Sequence, residues 1–250
     1  MDKINKLKEY IKESHRIVFF GGAGVSTESG IPDFRSKDGL YEKDLSFYGQ
    51  HEPEYYLSHT CLCHDPKTFY GFYRDFLDTR AYEPNVTHQV LAEWEKQGKL
   101  LGVITQNIDG LHQKAGSQKV YEIHGSATRC YCMKCGKEYT NDRILDSDEK
   151  IPRCSCGGPI RPDIVLYEEQ LPKKAVNDAL DCLHDADMLI VAGTSLSVYP
   201  AAGYIYEFTG NHLVVINREP LKNTTLNPDC DLEIISDLGK VFEQLKEERA

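Results

Sequence analysis

IVFFGGAG, residues 17–24, is the stretch on which the fold turns. Four consecutive apolar residues, Ile17 to Phe20, suit a strand covered on both faces, as in a parallel sheet rather than a half-solvated antiparallel one. Gly22-Ala23-Gly24 follows and lets the backbone turn sharply, and a helix is expected to begin there. Such a helix start offers free N–H groups and a positive dipole end to a phosphate. A bare Gly-x-Gly also serves merely as a connecting turn, and alone it does not separate the two readings. Two familiar nucleotide fingerprints fail here. A dehydrogenase loop needs a third glycine where Thr27 stands, and an acidic residue closing a second strand about 20 residues on, whereas 36–60 reads as loop. An ATP-type loop needs a Gly-Lys-Ser/Thr run, and no lysine follows these glycines.

The same rhythm continues outward. Ile4, Leu7 and Ile11 share one face of an N-terminal helix. Helices are expected over 66–78 and 86–97, strands over LLGVIT at 100–105 and KVYEI at 119–123. Between about 126 and 162 apolar periodicity disappears and cysteine, glycine and charge dominate. Alternation then resumes with IVL at 164–166, a helix near 172–184, MLIVA at 188–192, a helix near 200–208, HLVVIN at 212–217, LEII at 232–235 and a last helix from about 238. Short apolar strands alternating with helices define an α/β fold, a doubly wound parallel sheet (Rossmann-like) with a smaller inserted zinc-ribbon and helical module. The expected division is 1–35, 83–125 and 163–250 for the nucleotide-binding domain, 36–82 for a cofactor loop and helical module, and 126–162 for the zinc-ribbon module.

A length of 250 residues suits one large domain with a small appendage. A net charge of −10 argues against a phosphate-backbone binder, which needs a basic face, so no direct nucleic-acid partner is expected. No apolar run has the length of a membrane span, and the charged N-terminus lacks the apolar core of a signal peptide. A cytoplasmic, monomeric protein is expected. In that reducing compartment nine cysteines point to metal or catalysis rather than a disulfide framework.

Three polar features stand at strand ends, where open parallel sheets bind ligands. TQNIDG at 105–110 places Gln106, Asn107 and Asp109 after one strand, although Asn and Asp-Gly also make ordinary turns. His124 follows KVYEI; there a histidine can take a proton near neutral pH, and a lone histidine is equally a packing residue. Arg35, after Asp33-Phe34, suits a phosphate or a carboxylate, and Phe34 an aromatic wall. The cysteines are more specific. Cys132 and Cys135 form a CxxC knuckle, and after eighteen intervening residues come Cys154 and Cys156. Two pairs at this spacing make a zinc ribbon, a closed site that holds structure. Cys130 is a rival to Cys132, while Cys61, Cys63, Cys182 and Cys230 have no partner by spacing.

Taken together these residues resemble the sirtuin family. The carriers are GAGVSTESGIPDFRS at 22–36, TQNIDGLHQKAG at 105–116, HG at 124–125, the cysteine pairs, RPDIVLYEEQLP at 161–172, GTSLSVYPAA at 193–202 and VVIN at 214–217. The resemblance implies NAD-dependent deacylation of acetylated lysine in proteins or peptides, with Zn(2+) in the cysteine module. It places Ala23, Thr27, Phe34 and Arg35 along the NAD pocket, with Gln106, Asn107, Ile108 and Asp109 at the ribose and nicotinamide end. Thr194, Ser195, Asn217 and Asp237 fall at the ribose, phosphate or adenine end, and His124 is the base that draws a proton from a ribose hydroxyl. The products are free lysine, nicotinamide and O-acetyl-ADP-ribose. The substrate is expected between 165–169 and 196–200, touching Val165 and Tyr167. Where the family commonly has Phe-Gly-Glu, this chain has Tyr167-Glu168-Glu169. Succinyl-removing members place Tyr and Arg three apart; here Tyr73 stands three after Tyr70 and Arg74 is one late, which favours acetyl. Mono-ADP-ribosyl transfer, long-chain or succinyl deacylation, and a non-catalytic zinc-ribbon module are the alternatives.

Overall fold

A computed structural model gives the fold of the chain; it describes residues 2–34, 39–221 and 231–246. Helix α1 spans Lys3–Glu13 and is capped by the Asp2 side chain. Strand β1, Ile17–Gly21, follows. Helices α2 (His59–His64), α3 (Pro66–Phe76) and α4 (Val86–Lys96) precede strand β2 (Leu100–Thr105), helix α5 (Leu111–Ala115) and strand β3 (Val120–Glu122). Strands β4 (Gly125–Cys132) and β5 (Glu138–Thr140), helix α6 (Asp142–Leu145) and strand β6 (Ile160–Ile164) build the cysteine module. The chain ends with α7 (Lys173–His184), β7 (Met188–Ala192), β8 (His212–Asn217), β9 (Asp231–Ile235) and α8 (Leu238–Lys246).

Six strands form one sheet in the order β3-β2-β1-β7-β8-β9, with every pairing parallel. The order reverses between β1 and β7, the switch point of a doubly wound sheet. Alternation along the central strands divides the core. Ile17, Phe19, Met188 and Ile190 face Leu7, Trp94 and Phe242 from α1, α4 and α8. Val18, Phe20, Leu189 and Val191 face Leu183 of α7 and Ile205. Both faces are thus covered, which is why these strands read as unbroken apolar runs.

Three expectations are corrected. The glycine turn does not start an α-helix: two single 3-10 turns follow, Ala23–Val25 and Thr27–Ser29, separated by Ser26. Residues 201–207 are likewise 3-10 rather than α. The strand expected at 164–166 does not join the parallel sheet; Ile164 ends β6, antiparallel to β4 in a three-stranded sheet ordered β5-β4-β6, and Val165 and Leu166 lie beyond it in no strand. The helical stretch and the cysteine stretch share one core, in which Tyr56, Phe69, Tyr70, Phe72 and Tyr73 pack with Ala127, Ile144, Ile160 and Leu166. No helix among the described residues is long and apolar enough to cross a membrane.

Candidate active site

The loops leaving the carboxyl edge of the sheet are stitched together by backbone hydrogen bonds. Gln106 N–H donates to Gly21 O at 2.9 Å, Gly22 N–H to Ala192 O at 3.2 Å, Gly193 N–H to Ile216 O at 3.1 Å and Ser236 N–H to Asn217 O at 2.9 Å. Gly24 N–H donates to Gly193 O at 2.8 Å. A Cβ on Gly24 would stand 2.8 Å from Gly193 Cα and 2.9 Å from Gly193 O. Glycine is therefore required at 24 because two loops of the protein touch there, and not only for approach to a phosphate.

Above this edge lies a cavity of about 1060 Å³ lined by residues of β1, β2, β7 and β8 loops and of the smaller module. Ala23, Thr27, Phe34, Gln106, Asn107, Ile108, Asp109, His124, Val165, Tyr167, Thr194, Ser195 and Asn217 all line it, so one space gathers residues scattered through the sequence. Two expected positions are not in that set. Arg35 lies outside the described residues. Asp237 does not line the cavity; its carboxylate meets Arg218 at 2.9 Å and Lys240 at 2.7 Å, while its neighbours Ser236 and Leu238 reach the wall.

His124 ends the short link from β3 to β4. Its Nδ1–H donates to the Gln106 carbonyl at 3.0 Å, which leaves the lone pair on Nε2. Burial lowers the imidazole pKa below its ordinary value, and the Gln106 carbonyl opposes that shift. The ring is thus neutral and basic at pH 7. Gly125 follows with φ 74, and a Cβ there would lie 2.1 Å from Asp163 O. The His-Gly pair sets the ring against the β6 backbone.

The remaining polar groups are ordered by one another. Asp109 accepts from Ser26 Oγ at 2.6 Å and from Leu111 N–H at 2.8 Å, with burial raising its pKa against those bonds. Asn107 Nδ2 donates to the same Ser26 Oγ at 3.1 Å. Gln106 Oε1 accepts from Thr194 Oγ1 at 3.0 Å. Its Nε2 is buried with no partner among the described residues, a donor held for a ligand. Asn217 accepts from Thr194 N–H and donates to Thr194 O, both at 3.0 Å, so it holds the Thr194 loop rather than pointing free groups at a ligand. Phe34 packs on Tyr41 with ring centroids 5.4 Å apart, and Tyr41 and Tyr167 join their hydroxyls at 3.1 Å. Ser26 and Tyr41 are site residues that sequence reading gave no role. Ser26 sits in the run of small hydroxylated residues, yet nothing in that run says which member turns inward.

At the substrate edge Val165 N–H donates to His124 O at 2.9 Å, and Tyr167 uses its N–H and C=O on Leu57 and His59. Tyr167 therefore contributes its ring more than its backbone. Glu168 adopts φ 77, the left-handed region that favours glycine. Its carboxylate accepts from Thr60 N–H at 2.9 Å and Oγ1 at 2.8 Å. The glutamate that stands in place of glycine thus takes a left-handed backbone and adds a tie to α2.

The sulfurs of Cys132, Cys135, Cys154 and Cys156 lie within 4.8 Å of one another. The Cys132–Cys156 and Cys135–Cys154 separations are 3.5 and 3.7 Å. A tetrahedron with metal–sulfur bonds of about 2.3 Å puts sulfurs about 3.8 Å apart, so the set fits zinc. Cys130 turns away to Thr140 O at 3.2 Å. None of the four lines the cavity, as befits a site that holds structure.

Sheet order and cleft define a doubly wound α/β protein with a cysteine-knuckle module and a ligand cleft at the switch point. Its family is the Sir2 family, to which the chain belongs: the family model matches residues 22–200. The NAD-dependent protein deacetylase of Clostridium acetobutylicum is 50% identical over 97% of this chain and 98% of its own. That of Cutibacterium acnes is 49% identical over 95% of each. A solved Sir2 with a p53 peptide and NAD+ superposes with a TM-score of 0.82 at 34% identity, covering 98% of both chains.

Proposed function

We propose that this chain is an NAD-dependent protein lysine deacetylase with His124 as its general base. The observation that carries the reading is the His124 ring: neutral, fixed through Nδ1 to the Gln106 carbonyl, its Nε2 left basic in the wall of the cavity above the sheet edge. NAD, when bound, supplies the ribose that receives the acetyl group. Gln106 Nε2 is the donor reserved for it, and Ser26, Asn107 and Asp109 form one bonded group beside it. Ala23, Thr27, Phe34, Ile108, Thr194 and Ser195 complete the cofactor wall, and Asn217 positions Thr194. Val165 and Tyr167 face the acyl-lysine. The division of the chain into a larger nucleotide-binding part and a smaller module belongs to this reading, as does action by a cytoplasmic monomer.

Acetyl is favoured over succinyl. Tyr70 and Tyr73 donate to Ile160 O at 2.8 Å and Asn141 Oδ1 at 3.1 Å. Arg74 donates to Ile144 O at 2.9 Å and Glu149 O at 2.7 Å. None of the three lines the cavity. Arg218, the one arginine among the described lining residues, is paired with Asp237.

The test is turnover of an acetyl-lysine peptide with NAD labelled in the adenylate part. Deacetylation with release of labelled O-acetyl-ADP-ribose is expected. His124→Ala is expected to lower kcat by about 10²–10⁴-fold, the usual worth of a general base. Unchanged turnover in that variant, or label retained on protein as in mono-ADP-ribosyl transfer, would sink the assignment.

A further inference from the structure

Cys63 had no partner by spacing, yet the fold gives it two in sequence. On α2 it lies one turn after His59, and its Sγ is 3.3 Å from His59 Nε2. His59 Nδ1 is 3.0 Å from Glu169 Oε1. Glu169 is clasped by Arg161 Nη1 at 2.6 Å and Nη2 at 2.9 Å, and accepts from Leu166 N–H at 2.9 Å. Burial raises the Glu169 pKa, but Arg161, the Leu166 N–H and His59 outweigh it and hold the carboxyl at about 2. Thiol, imidazole and carboxylate therefore stand in line, nucleophile to base to orienting group. Cys63 is exposed, whereas Cys61 beside it is buried. His59 and Glu169 also line a second cleft with Tyr131 and Arg161, which shares Val165 and Glu169 with the larger cavity.

We propose that Cys63 is a modification site, a nucleophilic thiol oxidised by hydroperoxides and coupled through His59 and Glu169 to the 165–169 substrate edge. His59 Nε2 accepts the thiol proton. The thiolate sulfur attacks one peroxide oxygen; the S–O bond forms as the O–O bond breaks. Sulfur loses two electrons to the peroxide, and the leaving oxyanion takes the proton back from His59. Thiol and hydroperoxide become sulfenic acid and water or alcohol. An oxygen added to Sγ, which lies 3.3 Å from His59 Nε2, alters the His59 contact and through that ring the tie to Glu169. That ring is one of several ties between α2 and the edge, alongside His59 N–H to Tyr167 O and Thr60 to Glu168. The coupling to peptide rests on the proposed deacetylase reading; the thiol chemistry does not.

The experiment is site-resolved mass spectrometry on the zinc-loaded full chain. A free thiol is only a few per cent ionised at pH 7, so a base within reach of Cys63 Sγ is expected to raise its alkylation rate by about tenfold. Iodoacetamide at pH 7 should therefore label Cys63 about tenfold faster in the wild type than in His59→Gln. Hydrogen peroxide followed by dimedone should give an adduct at Cys63 and raise the peptide KM, with Cys63→Ser unaffected. Equal labelling with and without His59 would overturn the site. An adduct without a KM change would overturn the coupling. Absence of deacetylation in both untreated proteins would count against the deacetylase reading and leave the labelling result standing.

Discussion

Acidification from pH 7.5 to 5.0 is expected to remove about 2 kcal/mol of stability through one buried histidine, His88. It lies in the first turn of α4, fully buried, with its Nδ1 accepting from Asn85 N–H at 3.3 Å and its Nε2 without a partner among the described residues. Its ring packs on that of His112 at 4.7 Å. Burial lowers the His88 pKa to about 4; burial, then the charge of His88, lowers that of His112 well below the ordinary value. The unfolded chain binds a proton at His88 near pH 6.5 and the folded chain does not, so unfolding takes up a proton between these values. Stability is fully present above 6.5 and falls as the pH drops toward 4. At about 1.4 kcal/mol per pH unit, the 1.5 units from 6.5 to 5.0 amount to about 2 kcal/mol. Urea denaturation at both pH values gives the difference directly. His88→Gln keeps an acceptor for Asn85 N–H but does not titrate, so its pH difference should be smaller than that of the wild type by about that amount. Acid effects on carboxylates and on the cysteine site are common to both proteins and cancel. An unchanged difference in His88→Gln would refute the assignment of the proton to this ring.

Three further outcomes follow from the geometry. Gly24→Ala, whose new methyl would meet the Gly193 backbone, should lose about 1–3 kcal/mol in urea denaturation and raise the KM for NAD more than that for peptide; wild-type stability would refute the contact. Chelation of zinc should unfold the smaller module, since such a site contributes roughly 10–16 kcal/mol of apparent folding free energy; near-ultraviolet circular dichroism that stays unchanged after metal loss would contradict this. With matched acetyl and succinyl peptides, kcat/KM for acetyl should exceed that for succinyl by at least about tenfold, because a charge in a cleft whose described lining residues offer no unpaired lysine or arginine is left unpaired; equal values would reverse the acyl assignment.

How much of this was legible before the fold was seen depends on the kind of information each residue carries. The sheet was legible because Ile17–Phe20 and Met188–Ala192 are buried on both faces and must be apolar throughout. The glycine turn and the 201–207 stretch read as ordinary helix because 3-10 and α turns share a similar apolar spacing. The 164–166 strand was assigned to the wrong sheet because Ile164 and Leu166 are apolar in either setting; the choice rests on β4, forty residues upstream.

The glycines carry the same lesson one step further. Gly24 reads in sequence as a cradle for phosphate, and in the fold it is first a point of contact between two loops, with Gly193 on the far side. The two loops bound the switch point from opposite halves of the sheet. A side chain at either position would part them, and with them Thr194 from Gln106, whose shared bond of 3.0 Å leaves Gln106 Nε2 as the one open donor of that pair. The glycine motif therefore also acts within the protein. It fixes the separation of two loops, that separation fixes the Gln106 amide, and the carbonyl of the same residue fixes the tautomer of His124. Gln106 is the residue at which cofactor binding and proton transfer meet. Gln106→Ala should accordingly raise the KM for NAD while the pH profile of kcat, set by a backbone bond that alanine retains, stays in place; a displaced profile would show that the side chain, and not the carbonyl, orders the base.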